Sequence, residues 1–195
     1  MFVDRAYSGA DMFVLSEAPK FQGSFPNFKH FFKGCFSKDQ VPASLCDPRG
    51  FGTFIWNTKT EREARNSPGH WVSFTWDARE NETKLLGYDS TKEYLMGARA
   101  EQAQFISDFH HFTQKNPDGH QNPGTNTCGL WSLCSCIEDY LNFTSAKSTD
   151  AIRFVKLFNA CVNDEDLFNL VVEFFGVDSL MGIFSEDNDE TTIAI

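Results

Sequence analysis

The stretch "NPGTNTCGLWSLCSCIEDYL", Asn122–Leu141, joins a turn-forming loop directly to an apolar run. Asn, Pro, Gly and Thr before Cys128 favour a loop, whereas the residues from Cys128 onward predict a buried helix. A thiol in the first turn of a helix lies near unpaired N–H groups and the positive end of the helix dipole, and both stabilise a thiolate. The approaching loop also exposes backbone N–H groups, which an oxyanion site requires. A lone cysteine at such a position is nevertheless more often a buried structural residue.

Three short runs upstream of this stretch are rich in β-branched and aromatic residues. They are "GTFIWNT" (52–58), "GHWVSFTWD" (69–77) and "TKLLGYDS" (83–90). This composition predicts three neighbouring strands, and the polar link "ARENETK" between the second and third predicts a hairpin turn. In the second run Trp71, Phe74 and Trp76 mix with Val72 and Thr75, a pattern typical of a strand buried on both faces.

Polar side chains suited to catalysis lie at the ends of these predicted strands. His70 directly precedes the second strand and Asp89 ends the third, so an antiparallel hairpin would bring the two together. An imidazole there could exchange a proton with the Cys128 thiol, and the carboxylate would hold the imidazole in one tautomer. Gln121, seven residues before Cys128, carries amide N–H donors for an oxyanion. Taken singly, each is also an ordinary structural or loop residue.

Helical patterns occupy much of the remaining chain. Phe105, Phe109 and Phe112 recur at spacings of four and three residues and predict a helix that ends near "NPDG". Two further helices are predicted in "TDAIRFVKLFNACV" (149–162) and "DEDLFNLVVEFFGV" (164–177), which begin with acidic residues.

The two ends of the chain show weaker patterns. The segment before Phe36 predicts a loop followed by one or two short helices, and residues 185–195 predict a flexible acidic tail. Together with the strands and helices, these segments predict a single α+β domain over residues 1–195. In that domain a small mixed sheet packs against helices.

The composition favours an ordered globular protein. The chain has 195 residues, of which 41% are hydrophobic and 21 are Phe, and this content supports a packed core. A formal net charge of −10 disfavours a phosphate-neutralising surface, so we expect no nucleic-acid partner. The sequence shows no signal-peptide pattern and no apolar run of bilayer length, which predicts an intracellular protein without membrane association.

Six cysteines raise the alternatives of disulfides and of a metal site. For a protein in a reducing compartment we predict free thiols, most of them buried. Cys134, Cys136 and Cys161 suggest zinc binding. However, Cys134 and Cys136 straddle one residue of a predicted helix and therefore point in different directions, and no C-x-x-C pair occurs. We therefore expect no metal and no cofactor.

In this order and spacing, His70, Asp89, Gln121 and Cys128 resemble the active-site set of adenain, the maturation protease family of adenoviruses, which shares its fold with the SUMO-deconjugating proteases. "GHWVSFTWD" is similar to the family's His-Trp strand, and "LLGYDS" to the strand that carries the acidic residue. "QNPGTNTCGLW" is similar to the segment around the nucleophile. Weaker similarity extends the resemblance over roughly Phe21–Leu141.

The resemblance implies a papain-like or adenain-like architecture with the nucleophile at a helix N-terminus. It implies that Cys128 attacks a peptide carbonyl, that His70 transfers the proton and that Asp89 orients His70. Gln121 and the backbone N–H of Cys128 would hold the oxyanion.

The resemblance also implies a substrate site. Trp71 would form a wall of the cleft, and Gly129 would belong to the substrate-binding residues. A narrow channel between aromatic walls would select glycine near the scissile bond, because it leaves no room for a Cβ.

The implied function is a cysteine endopeptidase that cleaves glycine-containing sites in viral structural precursor proteins during virion maturation. The alternative is a ubiquitin-like or SUMO-deconjugating protease, which would use the same four residues. Either function implies protein substrates, and we expect a monomer in the host nucleus or the virion if the source is viral.

Three departures from the family limit the transfer of its properties, and the first is a slightly longer histidine-to-acid interval, which lies in the "ARENETK" turn. The acid is Asp89 where adenain has Glu, and "SDFHHFTQKNPDGHQ" lacks the cysteine to which adenain's activating viral peptide is disulfide-bonded. We therefore expect no covalent peptide activation. Because the chain is acidic, we expect no DNA activation either.

Overall fold

The computed structural model describes residues 7–40, 50–64, 69–79, 84–91, 111–116 and 118–186 of the chain. Within these residues the strands are β1 (Phe32–Phe36), β2 (Phe51–Asn57), β3 (Trp71–Asp77), β4 (Lys84–Tyr88) and β5 (His111–Lys115). The helices of the described part are α1 (Gly9–Ser16), α2 (Pro19–Ser24), α3 (Phe28–Phe31), α4 (Glu61–Ala64), α5 (Cys128–Phe143), α6 (Thr149–Phe158), α7 (Asp164–Phe175) and α8 (Val177–Glu186).

The strands form one mixed sheet in the order β1-β2-β3-β4-β5. The middle strands β2, β3 and β4 are antiparallel neighbours, whereas β1 and β5 each add to an edge in parallel. The three strands predicted from composition are therefore confirmed, as is their side-by-side arrangement. The predicted α+β class, a small mixed sheet packed against helices, is confirmed as well.

Helix α5 lies against the sheet and begins with Cys128. All its residues from Cys128 to Leu141 are buried, because it packs on β2 and β3 and also on α6 and α7. A helix buried on every side needs apolar or small residues all round, and the run of Leu, Trp, Ser and Cys supplies them. The predicted start of this helix at Cys128 is confirmed, and α6 and α7 confirm the two helices predicted after it.

Strand β3 is buried on both faces, as its composition predicts. One face contributes to an apolar cluster, whose members include Phe54, Val72, Phe74, Trp76 and Leu85. The alternate residues of β3 are small and polar: Thr75 Oγ1 donates to Asp139 Oδ2 of α5 at 2.7 Å. Small residues on this face let α5 approach the sheet, and hydrogen bonds satisfy their buried hydroxyls.

A buried ionic cluster ties the edge strand β5 to α5. Lys115 Nζ donates to Glu138 Oε2 at 2.7 Å and to Asp139 Oδ1 at 2.5 Å. Burial disfavours the charged ammonium, but the carboxylates of Asp139 and Glu138 outweigh that effect and raise the pKa of Lys115. The cluster therefore holds a cation against two buried carboxylates at the edge of the sheet.

The helix predicted from the spacing of Phe105, Phe109 and Phe112 is wrong at Phe112. Phe112 lies in β5, opposite Leu85 of β4, and packs against the apolar cluster. Spacings of four and three residues over only three phenylalanines do not distinguish a helix from a helix followed by a strand, and pairing with β4 decides the local conformation. Phe105 and Phe109 lie outside the described residues.

The described part of the N-terminal segment contains three short helices where one or two are predicted and, in addition, strand β1, which the sequence does not predict. Gly34 has φ 113°, a conformation that favours glycine. The pairing of β1 with β2 shifts register between Phe32 and Cys35. Such a bulge disrupts the alternation from which a strand is recognised.

Near the other end of the chain, two helices meet at Gly176. This residue has φ 89° and ends α7, so the helix predicted over 164–177 stops at Phe175. Helix α8 then continues to Glu186, and it therefore includes the first two residues of the predicted tail. Residues 187–195 lie outside the described part of the chain.

Candidate active site

The ends of β3 and β4 bring an imidazole and a carboxylate together. His70 precedes β3, Asp89 follows β4, and His70 Nε2 lies 2.7 Å from Asp89 Oδ1. This is the contact that an antiparallel hairpin predicts. Asp89 is fully buried and the His70 side chain is only 10% exposed, so little solvent screens the pair.

Thr91 fixes the carboxylate that faces the imidazole. Its backbone N donates to Asp89 Oδ1 at 2.8 Å, and its hydroxyl donates to the same oxygen at 2.9 Å. The His70 backbone is held separately, because its N donates to Thr58 Oγ1 and its carbonyl accepts from Thr58 N. Both members of the pair are therefore held by neighbouring backbone and hydroxyl groups.

The Cys128 side chain lies close enough to the His70 ring to raise the pKa of that imidazole. Asp89 occupies Nε2, so Nδ1 is the ring nitrogen left for the thiol. Burial lowers the pKa of the His70 imidazole, but its hydrogen bond to the Asp89 carboxylate and the nearby Cys128 side chain outweigh that effect and raise the pKa of His70 to about 9. The arrangement favours the imidazolium form of His70.

Cys128 differs in surroundings from the other described cysteines. It opens α5 and is 7% exposed. Burial raises the pKa of Cys161 to about 11 and that of Cys136 to about 12, and it raises the pKa values of Cys35 and Cys134 as well. Raised thiol pKa values make these four poor nucleophiles near neutral pH, whereas Cys128 contacts an imidazole.

The side-chain amide of Gln121 has a defined orientation. Its Nε2 donates to the carbonyl oxygen of Thr125 at 2.5 Å, and its Oε1 accepts from Ser90 Oγ at 2.7 Å. Because a carbonyl oxygen only accepts, the amide nitrogen must face Thr125. One of its two N–H bonds is used there, which leaves the second for another acceptor.

Ser90 links the Gln121 loop to the end of β4. Its carbonyl oxygen accepts from the backbone N of His120 at 2.9 Å and of Gln121 at 3.0 Å, in addition to the hydroxyl bond to the Gln121 amide. Sequence reasoning missed Ser90 and Thr91. Their position directly after Asp89 in "YDST" is a signal that could have found them, since Ser and Thr side chains often hydrogen-bond groups of neighbouring residues.

Trp71 is held by a hydrogen bond beside the N-terminal helix, whereas Gly129 is buried in close packing. The half-buried Trp71 ring donates from Nε1 to the carbonyl oxygen of Tyr7 at 2.9 Å, which holds the indole beside the N-terminal helix. Gly129 is buried, and a Cβ there would come within 3.0 Å of Met12 Sδ and 3.2 Å of Tyr7 Cβ. Close packing against these residues accounts for the glycine.

A cleft and a groove meet beside His70. The cleft, about 270 Å³, is lined by His70 and Gln121 among others, and the groove, about 470 Å³, lies on the Trp71 side. Gly69 lines both, and a Cβ there would come within 1.8 Å of Asn57 Oδ1. Close approach to the buried Asn57 side chain accounts for the glycine at position 69.

Among the described residues, no group of three or more His, Cys, Asp or Glu side chains is placed to hold a metal ion. Within the same part of the chain, no helix has both the length and the apolar content needed to span a bilayer.

No protein-family model and no curated protein matches the chain. Solved structures similar to it include the ASFV pS273R protease, with 14% identity and a TM-score of 0.49 over 89% of this chain and 68% of that one. AvrA (delL154) with IP6 and CoA is similar with 13% identity and a TM-score of 0.48 over 87% of this chain and 71% of that one. At these identities and scores, the likeness by itself assigns no activity to the chain.

Proposed function

We propose that this chain is a cysteine endopeptidase with Cys128 as its nucleophile. One arrangement carries the proposal: His70 lies between the Asp89 carboxylate, 2.7 Å from Nε2, and the thiol that opens α5. A thiol paired with an imidazole at a helix N-terminus has the two features that activate cysteine for attack on a carbonyl. A cysteine with only a structural role needs neither an imidazole partner nor a position at a helix N-terminus.

The chemistry follows from these positions. The Cys128 sulfur attacks the peptide carbonyl carbon, and the C–N bond then breaks as His70 gives its proton to the leaving amine. A thioester to Cys128 remains. A water molecule, losing its proton to His70, attacks the thioester carbonyl and releases the acid and the thiol. The Asp89 carboxylate orients the imidazole and stabilises the imidazolium.

Gln121 and the backbone N–H of Cys128 supply the oxyanion donors in this proposal. The Gln121 amide is oriented by Ser90 and Thr125 and has one N–H left to donate. Donors fixed before the reaction stabilise the developing negative charge without reorganising. The hydrogen bonds that hold the amide support this role.

The proposed substrates are proteins cleaved at glycine-containing sites. The Trp71 ring, fixed by its hydrogen bond to Tyr7, lines the groove beside His70, and an aromatic wall there supports a preference for residues without a Cβ near the scissile bond. We propose viral structural precursors as the natural substrates, cleaved by a monomer in the host nucleus or the virion during maturation. Removal of ubiquitin-like modifiers is the alternative, since their attachment through a terminal glycine would suit the same preference.

The proposal is tested with purified wild-type chain and the Cys128→Ala variant. Each is incubated with a Gly-Gly-containing peptide, with the same peptide carrying Ala for Gly, and with a ubiquitin-like protein fused through its C-terminal glycine. Cleavage of the glycine peptide by wild type alone supports the endopeptidase. Cleavage restricted to the fusion supports the alternative, and cleavage of neither substrate contradicts both.

A further inference from the structure

Asp164 is buried beside the loop that leads to the nucleophile. It is the first residue of α7 and only 1% exposed. Its Oδ2 accepts from the backbone N of Asn122 at 3.2 Å and from Thr125 Oγ1 at 2.7 Å. Its Oδ1 accepts from Thr127 Oγ1 at 2.6 Å and from Trp131 Nε1 at 2.7 Å. One carboxylate thus connects the loop to the first turns of α5.

The loop it holds is otherwise open to solvent. Asn122, Pro123 and Gly124 are exposed, and Gly124 has φ 81°. At one end Gln121 is anchored to Ser90, and at the other Cys128 enters the buried helix. Between these ends the Asp164 carboxylate receives the bonds of Asn122, Thr125 and Thr127, so the loop's path depends on it.

We propose that Asp164 is a positioning residue for the oxyanion site. By holding loop 121–127 against α5, it sets the Gln121 amide and the backbone N–H of Cys128 toward one substrate oxygen. Asp164 contacts neither substrate nor the sulfur in this role. The inference rests on the proposed function and adds to it a residue from α7, 36 positions after the nucleophile.

The chemistry of the partners explains why a carboxylate is needed. Two of the four donors, the Asn122 backbone N–H and the Trp131 indole N–H, have no acceptor capacity and cannot reverse. They lie on different oxygens of Asp164. An asparagine amide in either orientation would therefore set its NH₂ group against one of these two N–H donors. Asp164→Asn keeps size and shape but breaks the clamp on one side.

The test compares Asp164→Asn with Glu165→Gln, a matched loss of one negative charge at the next, exposed position of α7. Amide hydrogen exchange of peptides covering 121–127 is measured together with kcat and KM for the glycine peptide. Thr125→Val, which removes one hydroxyl donor from the same carboxylate, serves as a second variant if Asp164→Asn does not fold.

For Asp164→Asn we expect exchange in 121–127 to be faster by about 10-fold, the effect of losing one hydrogen bond to a charged group. We expect kcat to fall by about 10²-fold with KM within about 2-fold, since misplaced catalytic donors affect the transition state more than binding. Thr125→Val should also speed exchange in 121–127 and lower kcat, but by smaller factors. Glu165→Gln should match wild type.

Three results overturn the proposal. They are unchanged exchange in 121–127, faster exchange spread over the whole chain, and faster exchange in the loop with wild-type kcat. If the wild-type chain cleaves no peptide, the proposed function fails, and the inference about the oxyanion site falls with it. The exchange measurement then reports separately whether Asp164 holds the loop.

Discussion

His70 Nε2 lies 2.7 Å from Asp89 Oδ1, although the two residues are 19 positions apart in the chain. Antiparallel pairing of β3 and β4 closes that separation, and burial of both side chains strengthens the contact. The same imidazole contacts Cys128. The predictions below follow from these contacts.

Cys128→Ser should reduce peptide cleavage by at least about 10³-fold, because a hydroxyl is far less easily deprotonated by this imidazole than a thiol. The loss is measured as kcat/KM on the glycine peptide, with circular dichroism to show that the fold is retained. Cys161→Ser is the control and should keep wild-type activity. Iodoacetamide should label Cys128 before Cys35 or Cys161, whose thiol pKa values are raised by burial; faster labelling of either would identify a different nucleophile.

Asp89→Asn should move the alkaline limb of the kcat/KM profile to lower pH. In wild type, burial lowers the pKa of His70 but Asp89 and Cys128 raise it to about 9. The imidazolium form is therefore lost, and activity falls, as pH rises through about 9. Removing the carboxylate removes part of the raising effect, so the loss begins at lower pH. Asp77→Asn, at the far end of β3, is the control, and its kcat/KM profile should match that of wild type. An alkaline limb that does not shift in Asp89→Asn would contradict the assignment of Asp89 as the partner of His70.

Gln121→Ala should lower kcat by about 10²-fold with little change in KM, the usual effect of removing one oxyanion donor. Ser90→Ala should have a smaller effect in the same direction, because the amide keeps its bond to Thr125 but loses the hydroxyl that faces Oε1. Steady-state kinetics on the glycine peptide measures both. A rise in KM with unchanged kcat would place Gln121 in substrate binding instead.

Lys115→Met should destabilise the fold by about 3–5 kcal/mol, because it leaves the Glu138 and Asp139 carboxylates buried without their cation. The free energy of unfolding is measured by urea denaturation. Lys156→Met, at an exposed position of α6, is the matched control and should change stability by less than about 0.5 kcal/mol. Equal stabilities of the two variants would show that the cluster contributes nothing.

The purified chain should cleave substrate without DNA and without a disulfide-linked peptide. No cysteine lies between Ser107 and Gln121, and the net charge of −10 disfavours a polyanion. Activity is compared for the protein alone, with duplex DNA at low salt, and after oxidation with cysteine-containing peptides. A large stimulation by DNA that fades with added salt would refute this prediction, as would a mixed disulfide required for activity.

Much of the sheet and the helices could be predicted from the sequence, because their patterns are local. The aromatic and β-branched runs of β2, β3 and β4 and the apolar run of α5 identify themselves within a few residues. The edge strands β1 and β5 could not be predicted, since a bulge at Gly34 and a misleading phenylalanine spacing at Phe112 mask them. In both cases, pairing with another strand of the sheet decided the strand conformation.

The sequence by itself determined which residues could react: a thiol at a loop–helix junction, an imidazole and a carboxylate at strand ends, and an amide before the thiol. These assignments depend on residue type and order, which a chain carries without folding. Only the tertiary structure decided which groups hold them in place. The bond of Ser90 to Gln121 joins residues 31 positions apart, and the bond of Asp164 to Thr125 joins residues 39 positions apart. Such contacts between distant segments exist only once the sheet and helices have packed.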